Sequence, residues 1–186
     1  PLLLSGMAIA MVTALTAGDE DAGRLELMHA LPVGRATVWL GRLLAVAVAV
    51  AVVTAVVTVV MVPSLALFSF DGVPTSRVVW ATVACGLLAL FHGAVGYALA
   101  GHGVSRGLAV GGAVVVLVVG YLMTSVLPIA DALEPARRYS PWYWAIGTQP
   151  VSDGVSAARL LLLVGVTAAL VTLGTWRVGR RDIRAA

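Results

Sequence analysis

The closest match to a catalytic pattern in this chain is formed by Gly103, Ser105 and Gly107, which spell G-x-S-x-G beside His102. In α/β-hydrolases this pattern places a serine nucleophile on a sharp turn between a strand and a helix. Here the pattern falls in a short turn between two long apolar runs, so the required context is missing. The sequence therefore predicts a turn and argues against a serine hydrolase.

The basic residues exclude further chemistry, because all 12 of them are arginine. The phosphate-binding loop of nucleotide hydrolases needs the lysine of G-x-x-x-x-G-K-[ST], and Schiff-base catalysis needs a lysine amine. Cys85 is the single cysteine and lies in an apolar run, where a lone thiol forms neither an internal disulfide nor a thiolate metal pair. We interpret Cys85 as a packing residue and expect a non-enzymatic chain without a cofactor or metal of its own.

The elements that must position any functional residue are apolar runs long enough to cross a bilayer. The chain is 60% hydrophobic and 11% charged, against about 45–50% and about 25% in soluble domains. A span needs about 20 mostly apolar residues, and lipid requires every backbone group to be bonded internally, which favours helices. The sequence predicts one all-α, polytopic transmembrane domain (1–186) with five spans, Pro1–Ala17, about Val38–Val62, Val78–Ala100, Leu108–Ile129 and Ala157–Val178.

Arginines at the span ends predict the orientation, because cytoplasmic loops carry an excess of basic residues. One side of the membrane would hold segment 18–37, the turn 101–107 and the tail 177–186, with Arg24, Arg35, Arg42, Arg106, Arg177, Arg180, Arg181 and Arg184. The other side would hold Arg77, Arg137, Arg138 and Arg159. We therefore expect a multi-pass protein of a bacterial plasma membrane with a cytoplasmic C-terminus, and a sixth, earlier helix in the native chain.

The five tryptophans support these boundaries. Trp39, Trp80 and Trp176 fall near predicted span ends, and Trp142 and Trp144 fall in the outer connection. Indole rings prefer the headgroup layer of a membrane, so the sequence predicts an interfacial position for all five.

The polar stretch from Gly18 to Arg42 predicts a short cytoplasmic helix. Asp19, Glu20 and Asp21 favour a first helical turn, because carboxylates there cap and complement the helix dipole. Pro32 ends the helix, and its apolar residues are Leu25, Leu27, Met28 and Leu31. Apolar side chains that face the cytosol need a partner to cover them, so we favour a docking helix over a plain solvated connector.

This stretch resembles the first cytoplasmic loop of the membrane-spanning permease subunits of type-two ATP-binding-cassette (ABC) exporters. It shares with that loop, in order, Glu20, Gly23, Leu25, Glu26, Leu27, Leu31, Pro32 and Arg35. The resemblance extends to the outer segment with Ser140, Pro141, Trp142, Tyr143, Pro150 and Gly154, and to the closing tail with Arg180, Arg181, Asp182 and Ile183. The chain departs from the family at Arg42, where a lysine is frequent, and at Val178, where an aromatic residue is usual.

The resemblance implies a permease that pairs with a second permease half, identical or different, and with two cytoplasmic ATPase subunits that hold ATP and magnesium. The cargo would be a hydrophobic drug, antibiotic or lipid-like molecule moved out of the cell. The helix after Asp19 would be the coupling helix that docks on the ATPase, and its coupling residues would be Glu20, Gly23, Arg24, Leu25, Glu26, Leu27, Met28, Leu31 and Pro32. Arg180, Arg181 and Asp182 would lie in the cytoplasmic tail.

The outer connection, 130–156, is too long for a simple turn. Family members fold this region into short helices that dip back toward the membrane and cap the translocation path. The resemblance then implies an external gate formed by Pro141, Trp142, Tyr143, Trp144 and Pro150. An interfacial aromatic belt without a gating role explains the same residues equally well.

His92 lies in the middle of a predicted span, where a polar group is costly unless it faces the bundle or a wet cavity. A hydrogen-bonded packing histidine is favoured over a contact with substrate, and Tyr97 is a weaker candidate for the substrate path. Two pairs of small residues, Gly96 with Ala100 and Gly107 with Gly111, predict close helix packing within the subunit.

Other functions stay open on the sequence alone. A gradient-driven transporter normally needs an intramembrane carboxylate, and every acidic residue here falls in a loop or at a span end. The E-A-A…G pattern of importer permeases is not matched beyond Gly23, Leu31 and Pro32. A membrane-anchoring or assembly subunit without transport is a further alternative. Nucleic acid is not an expected partner, since the arginines punctuate apolar segments instead of clustering on a soluble face.

Overall fold

The computed structural model describes residues 1–22, 34–68 and 72–180. Within these ranges every regular element is a helix, and five helices are long and apolar enough to cross a membrane. The predicted all-helical architecture with five potential spans is confirmed.

The five long helices are α1 (Leu2–Asp21), α2 (Arg35–Leu67), α3 (Thr75–Gly101), α4 (Arg106–Ser125) and α6 (Ala157–Arg180). Between α4 and α6 lie two 3₁₀-helical turns, Leu127–Ile129 and Asp131–Tyr139, and the short helix α5, Pro141–Ile146. Each predicted span coincides with one long helix. Successive long helices alternate in direction, so the bundle has an Asp21 end, where α1, α3 and α6 finish, and a Pro141 end, where they begin.

Helix α3 lies at the centre of the bundle and packs against all the other helices. Small residues make this possible: a methyl group added at Gly93 would lie 3.4 Å from Cβ of Ala8, and one at Gly96 would lie 3.1 Å from Thr13. The predicted close approach at Gly96 is confirmed. The prediction for Gly107 and Gly111 is wrong, because a methyl group at either would meet no described atom within 4 Å.

Helix α2 continues past the end predicted at Val62. Pro63 lies inside the helix, although its ring removes one backbone donor and usually ends a helix. The Ser64 hydroxyl donates to the carbonyl of Met61 at 2.7 Å, a local bond from a side chain to the backbone of the preceding turn.

The end of α1 also differs from the prediction. A π-helical turn, Ala14–Gly18, leads directly into Asp19–Asp21, which form the last turn of the first span. The three carboxylates therefore finish a helix instead of starting one. The helix dipole disfavours negative charge at this position, and cationic and N–H groups of neighbouring helices compensate for it, as described below.

Most of the predicted coupling helix lies outside the described residues. These positions are Gly23, Arg24, Leu25, Glu26, Leu27, Met28, Leu31 and Pro32, and the tail residues Arg181 and Asp182 join them. Their predicted roles stay predictions.

The interfacial position predicted for all five tryptophans is wrong for two of them. Trp39 and Trp142 are only 3% and 4% exposed, because each ring packs inside the bundle against other side chains. Trp80 and Trp176 are 57% and 46% exposed, which agrees with rings that face lipid or headgroups.

Candidate functional site

At the Asp21 end, Arg42 joins α2 to the last turns of α1. Its guanidinium lies 3.0 Å from the Asp19 carboxylate, and the two side chains are only 13% and 16% exposed. The same guanidinium donates to the backbone carbonyl of Leu15, within the π-helical turn. A π-helical turn interrupts the regular bonding of an α-helix, and here Arg42 supplies a donor to it. Arg42 therefore holds both the charge and the irregular backbone at the end of α1.

The same end of α1 also caps α4. The backbone N–H of Arg106 donates to the Asp21 carboxylate at 2.9 Å, while the N-cap residue Ser105 makes no capping bond with its own side chain. A free N–H in the first turn of a helix needs an acceptor, and Asp21 provides it from another helix. Gly18 leaves room for the Arg106 side chain, since a methyl group there would lie 3.0 Å from Cδ of Arg106.

The G-x-S-x-G residues lie in the turn between α3 and α4. Gly103 has φ of +80°, and Ser105 is the extended N-cap residue of α4. The His102 ring contacts the carbonyl of Ala98 through Nδ1 at 2.7 Å, and we assign Nδ1–H as the donor because a carbonyl only accepts. The turn joins two helices, so the strand required for a hydrolase nucleophile is not there.

At the Pro141 end, Ser140 fixes α5 to α4. Its buried hydroxyl donates to the carbonyl of Gly120 at 2.7 Å, accepts from the Thr124 hydroxyl at 2.7 Å and accepts from the N–H of Trp142 at 3.1 Å. The last contact is an N-cap, and Pro141 follows in the first helical position, where proline is favoured. Sequence reasoning named Ser140 only within the family resemblance, although Ser-Pro is itself a helix-start signal.

The buried Trp142 side chain attaches α5 to the bundle. Its indole N–H donates to the carbonyl of Leu117 at 3.2 Å, and Leu117 lies about 12 Å along α4 from Ser125 at about 1.5 Å per residue. Its ring contacts Tyr121 edge-on at 5.4 Å and His92 at 6.2 Å between centroids. The belt interpretation does not hold for Trp142, whereas its gating role stays a prediction.

The other expected gate residues are spread along the outer segment. The Tyr143 ring has the guanidinium of Arg159 at 4.6 Å and that of Arg137 at 5.6 Å, which are cation–π distances. The Trp144 indole donates to the carbonyl of Arg138 at 2.7 Å. Pro150 lines a cavity of about 610 Å³ between α1, α2 and α3. These contacts join the segment to α6 and to itself.

His92 is fully buried where α3 meets α1 and α5. Its Nδ1 lies 3.1 Å from the Ser5 hydroxyl, and the Phe91 ring packs edge-on at 5.3 Å. Its Nε2 has no hydrogen-bond partner among the described residues. The predicted hydrogen-bonded histidine is therefore satisfied at one nitrogen only.

Tyr97 packs three spans together. Its hydroxyl is 2.9 Å from that of Thr175 on α6, and Trp39 on α2 meets its ring edge-on at 5.6 Å. Gly174 lies against the ring so closely that a methyl group there would be 2.8 Å from Cδ1 of Tyr97. The structure does not bring Tyr97 and His92 into one site, because they face different helices.

Arg180 is the one tail candidate among the described residues, and its guanidinium lies 4.6 Å from the centre of the Trp176 ring. No group of three or more His, Cys, Asp or Glu side chains that could hold a metal ion occurs in the part of the chain that the structure describes.

No family model, no curated protein and no solved structure matches this chain. The resemblance to exporter permeases therefore rests on the motifs of the sequence itself.

Proposed function

We propose that this chain is the permease subunit of an ATP-driven exporter of the type-two ABC class, and that a separate cytoplasmic subunit hydrolyses the ATP. The observation that carries the proposal lies at the Asp21 end. There two residues at the start of the predicted coupling segment are bonded to two other spans, Asp19 to Arg42 on α2 and Asp21 to Arg106 on α4. A partner that pulls on this segment would move three spans together.

Helix α4 offers a rigid connection from this end to the outer segment. The Arg106 N–H donates to Asp21 of α1, and the carbonyl of Gly120, fourteen residues later and about 21 Å along the helix, accepts from Ser140. A tilt of α4 would therefore displace α5 and its buried Trp142. Rigid movement of packed helices is a common way of converting a local event into a distant one.

The proposed cargo is a hydrophobic drug, an antibiotic or a lipid-like molecule. The cavity between α1, α2 and α3 is lined mostly by valine, leucine, methionine and alanine side chains, with Thr54, Thr82 and Cys85 as its polar exceptions. Apolar walls favour an apolar ligand. A second permease half would complete the path, in a bacterial plasma membrane with the Asp21 end and the C-terminus in the cytoplasm.

Co-purification tests the proposal directly. The full-length protein, expressed with its neighbouring genes, should bring with it an ATPase subunit that contains a lysine-bearing phosphate loop. In liposomes, deletion of Leu25–Leu31 or the variant Leu27→Asp should leave ATP hydrolysis by the partner but abolish ATP-dependent transport. Leu133→Asp, a matched charge on an exposed leucine of the outer segment, should retain transport.

Two outcomes would contradict this function. Transport that continues without ATP would favour a gradient-driven transporter, and a complex that lacks an ATPase and moves nothing would favour an anchoring or assembly subunit. Full coupling in Leu27→Asp would reject the docking role of the segment.

A further inference from the structure

Trp142 contacts both a cavity and a buried histidine. A cavity of about 580 Å³ opens at the Pro141 end and is lined by Leu2, Tyr121, Thr124, Trp142 and Ile146, among others. His92 is not among the residues that line this cavity, and its ring lies 6.2 Å from the same indole between centroids. The indole therefore lines the open cavity and also packs near the buried His92 ring.

The imidazole is incompletely bonded in this closed arrangement. Its Nδ1 contacts Ser5, and its Nε2 is buried without a partner among the described residues. Whichever tautomer is present, Nε2 either holds an N–H that donates to nothing or a lone pair that accepts from nothing. Buried polar groups are normally paired, and an exception calls for an explanation.

The contacts of Trp142 allow its movement as a unit with α5. This helix has six residues, and it ends at Gly147, whose φ of +62° is a left-handed conformation that suits a hinge. One indole hydrogen bond, to Leu117, attaches the ring to α4. Loss of that bond and of the Ser140 contacts with Gly120 and Thr124, together with rotation about Gly147, would move the indole away from His92.

We infer that the Trp142 indole closes a ligand site in which the His92 imidazole, hydrogen-bonded to Ser5, supplies the hydrogen-bonding group. The site forms when the indole moves and the 580 Å³ cavity extends to the imidazole. Its chemistry selects a largely apolar molecule with a hydrogen-bonding group, such as a hydroxyl or an amine. The cavity lining is mostly apolar, with the hydroxyls of Tyr121, Thr124, Ser125 and Thr148 as its exceptions, and His92 with Ser5 would add a buried polar group to it. Only the identity of this ligand as the cargo rests on the proposed function.

Chemical modification of His92 tests whether the Trp142 indole closes the site. The chain has 3 histidines, so His29→Gln with His102→Gln leaves His92 as the one histidine of this sequence. Diethyl pyrocarbonate attacks an accessible unprotonated ring nitrogen, and the modified residue is identified by its peptide. In detergent-solubilised full-length protein, with modification measured by mass spectrometry, Trp142→Ala should raise the rate for His92 at least tenfold. Trp142→Phe keeps a ring and loses the bond to Leu117, and it should give a smaller rise.

Trp80→Ala is the matched control, because it removes an exposed indole from α3 and should leave the rate unchanged. Thermal unfolding of each variant establishes that it is folded. Two results would show that the Trp142 indole does not close the site. One is a rate of His92 modification that is no higher in either folded Trp142 variant than in the background, and the other is a rate in Trp80→Ala as high as in Trp142→Ala.

Ligand protection tests the chemistry of the site without ATP or a partner subunit. Saturating 1-naphthol should slow modification of His92 at least fivefold in the same background, whereas 1-methylnaphthalene, of similar size but without a hydrogen-bonding group, should not. Naphthol binding, followed by its own fluorescence, should weaken about tenfold in His92→Phe and stay unchanged in His102→Phe. Equal protection by both compounds, or unchanged binding in His92→Phe, would overturn the site while leaving the proposed coupling to an ATPase unaffected.

Discussion

The Asp21 carboxylate accepts a hydrogen bond from the backbone N–H of Arg106 at 2.9 Å, and in this way the end of one span caps the beginning of another. An N-cap is normally supplied by the residue just before the helix. Here the cap comes from 85 residues earlier in the chain. The geometry of the turn between α3 and α4 therefore depends on α1.

Replacing Asp21 should destabilise the bundle through α4. Asp21→Ala removes the acceptor for Arg106, and the loss of an N-cap costs about 1 kcal/mol. Asp21→Asn keeps an acceptor oxygen and should cost less. Thermal unfolding in detergent measures both, with Asp153→Ala in the outer turn as the control; equal stability of Asp21→Ala and the unchanged protein would exclude the capping role.

The pair of Arg42 and Asp19 should show strong coupling in a double-mutant cycle. Arg42→Gln removes the guanidinium that lies 3.0 Å from the largely buried Asp19 carboxylate, and loss of one bonding partner of a buried polar group costs about 1–3 kcal/mol. Adding Asp19→Asn removes that charge and should recover part of the loss. Denaturant unfolding of both single variants and the double variant gives the coupling energy. Strictly additive effects would contradict a direct interaction.

The contact between α3 and α6 predicts a sharp difference between two glycines of one helix. Gly174→Ala places a methyl group 2.8 Å from the Tyr97 ring and 3.1 Å from the backbone of Ala98. Overpacking of this kind destabilises by roughly 1–3 kcal/mol. Gly165→Ala on the same helix meets nothing within 4 Å and should leave the unfolding temperature nearly unchanged. Similar effects of the two substitutions would argue against the tight contact.

Ser140→Ala should loosen the outer segment without unfolding the spans. The substitution removes the cap of α5 and both hydroxyl contacts with α4, through Gly120 and Thr124. Hydrogen exchange measured by mass spectrometry should then rise in α5 (Pro141–Ile146), while exchange in α3 stays constant. Ser152→Ala, in the exposed turn of the same segment, is the control. Unchanged protection of α5 would show that its packing holds it without Ser140.

Cysteine labelling tests the orientation. In a Cys85→Ala background, Ser152→Cys should react with an impermeant thiol reagent added outside intact cells, and Ala185→Cys should react only after the cells are opened. The predicted excess of arginine on the cytoplasmic side is the physical reason. The reverse pattern would invert the proposed topology and remove the coupling segment from the reach of any cytoplasmic ATPase.

The failures of sequence reasoning have specific physical causes. Asp19–Asp21 were predicted to start a helix because carboxylates suit the N-terminus of a helix. They end one instead, where Arg42 and the Arg106 N–H stabilise the charges of Asp19 and Asp21. The second span was predicted to end at about Val62, but α2 continues through Pro63 to Leu67. Trp142 was predicted to be interfacial because local sequence does not show which groups of α4 bind the outer segment. In the structure the Leu117 carbonyl accepts from the Trp142 indole and the Gly120 carbonyl accepts from Ser140.

The sequence by itself determined the number, the approximate position and the helical nature of the long apolar segments, because the apolar length of a segment and the cost of unpaired backbone groups in lipid are local properties. The absence of lysine from the sequence also led to the prediction that the ATPase is a separate subunit. The tertiary structure alone decided which residues meet: Asp21 with Arg106, Gly174 with Tyr97, and Trp142 with His92. Contacts between helices depend on rotation and register, and apolar faces of nearly uniform composition leave both undetermined until small residues and single hydrogen bonds select one packing.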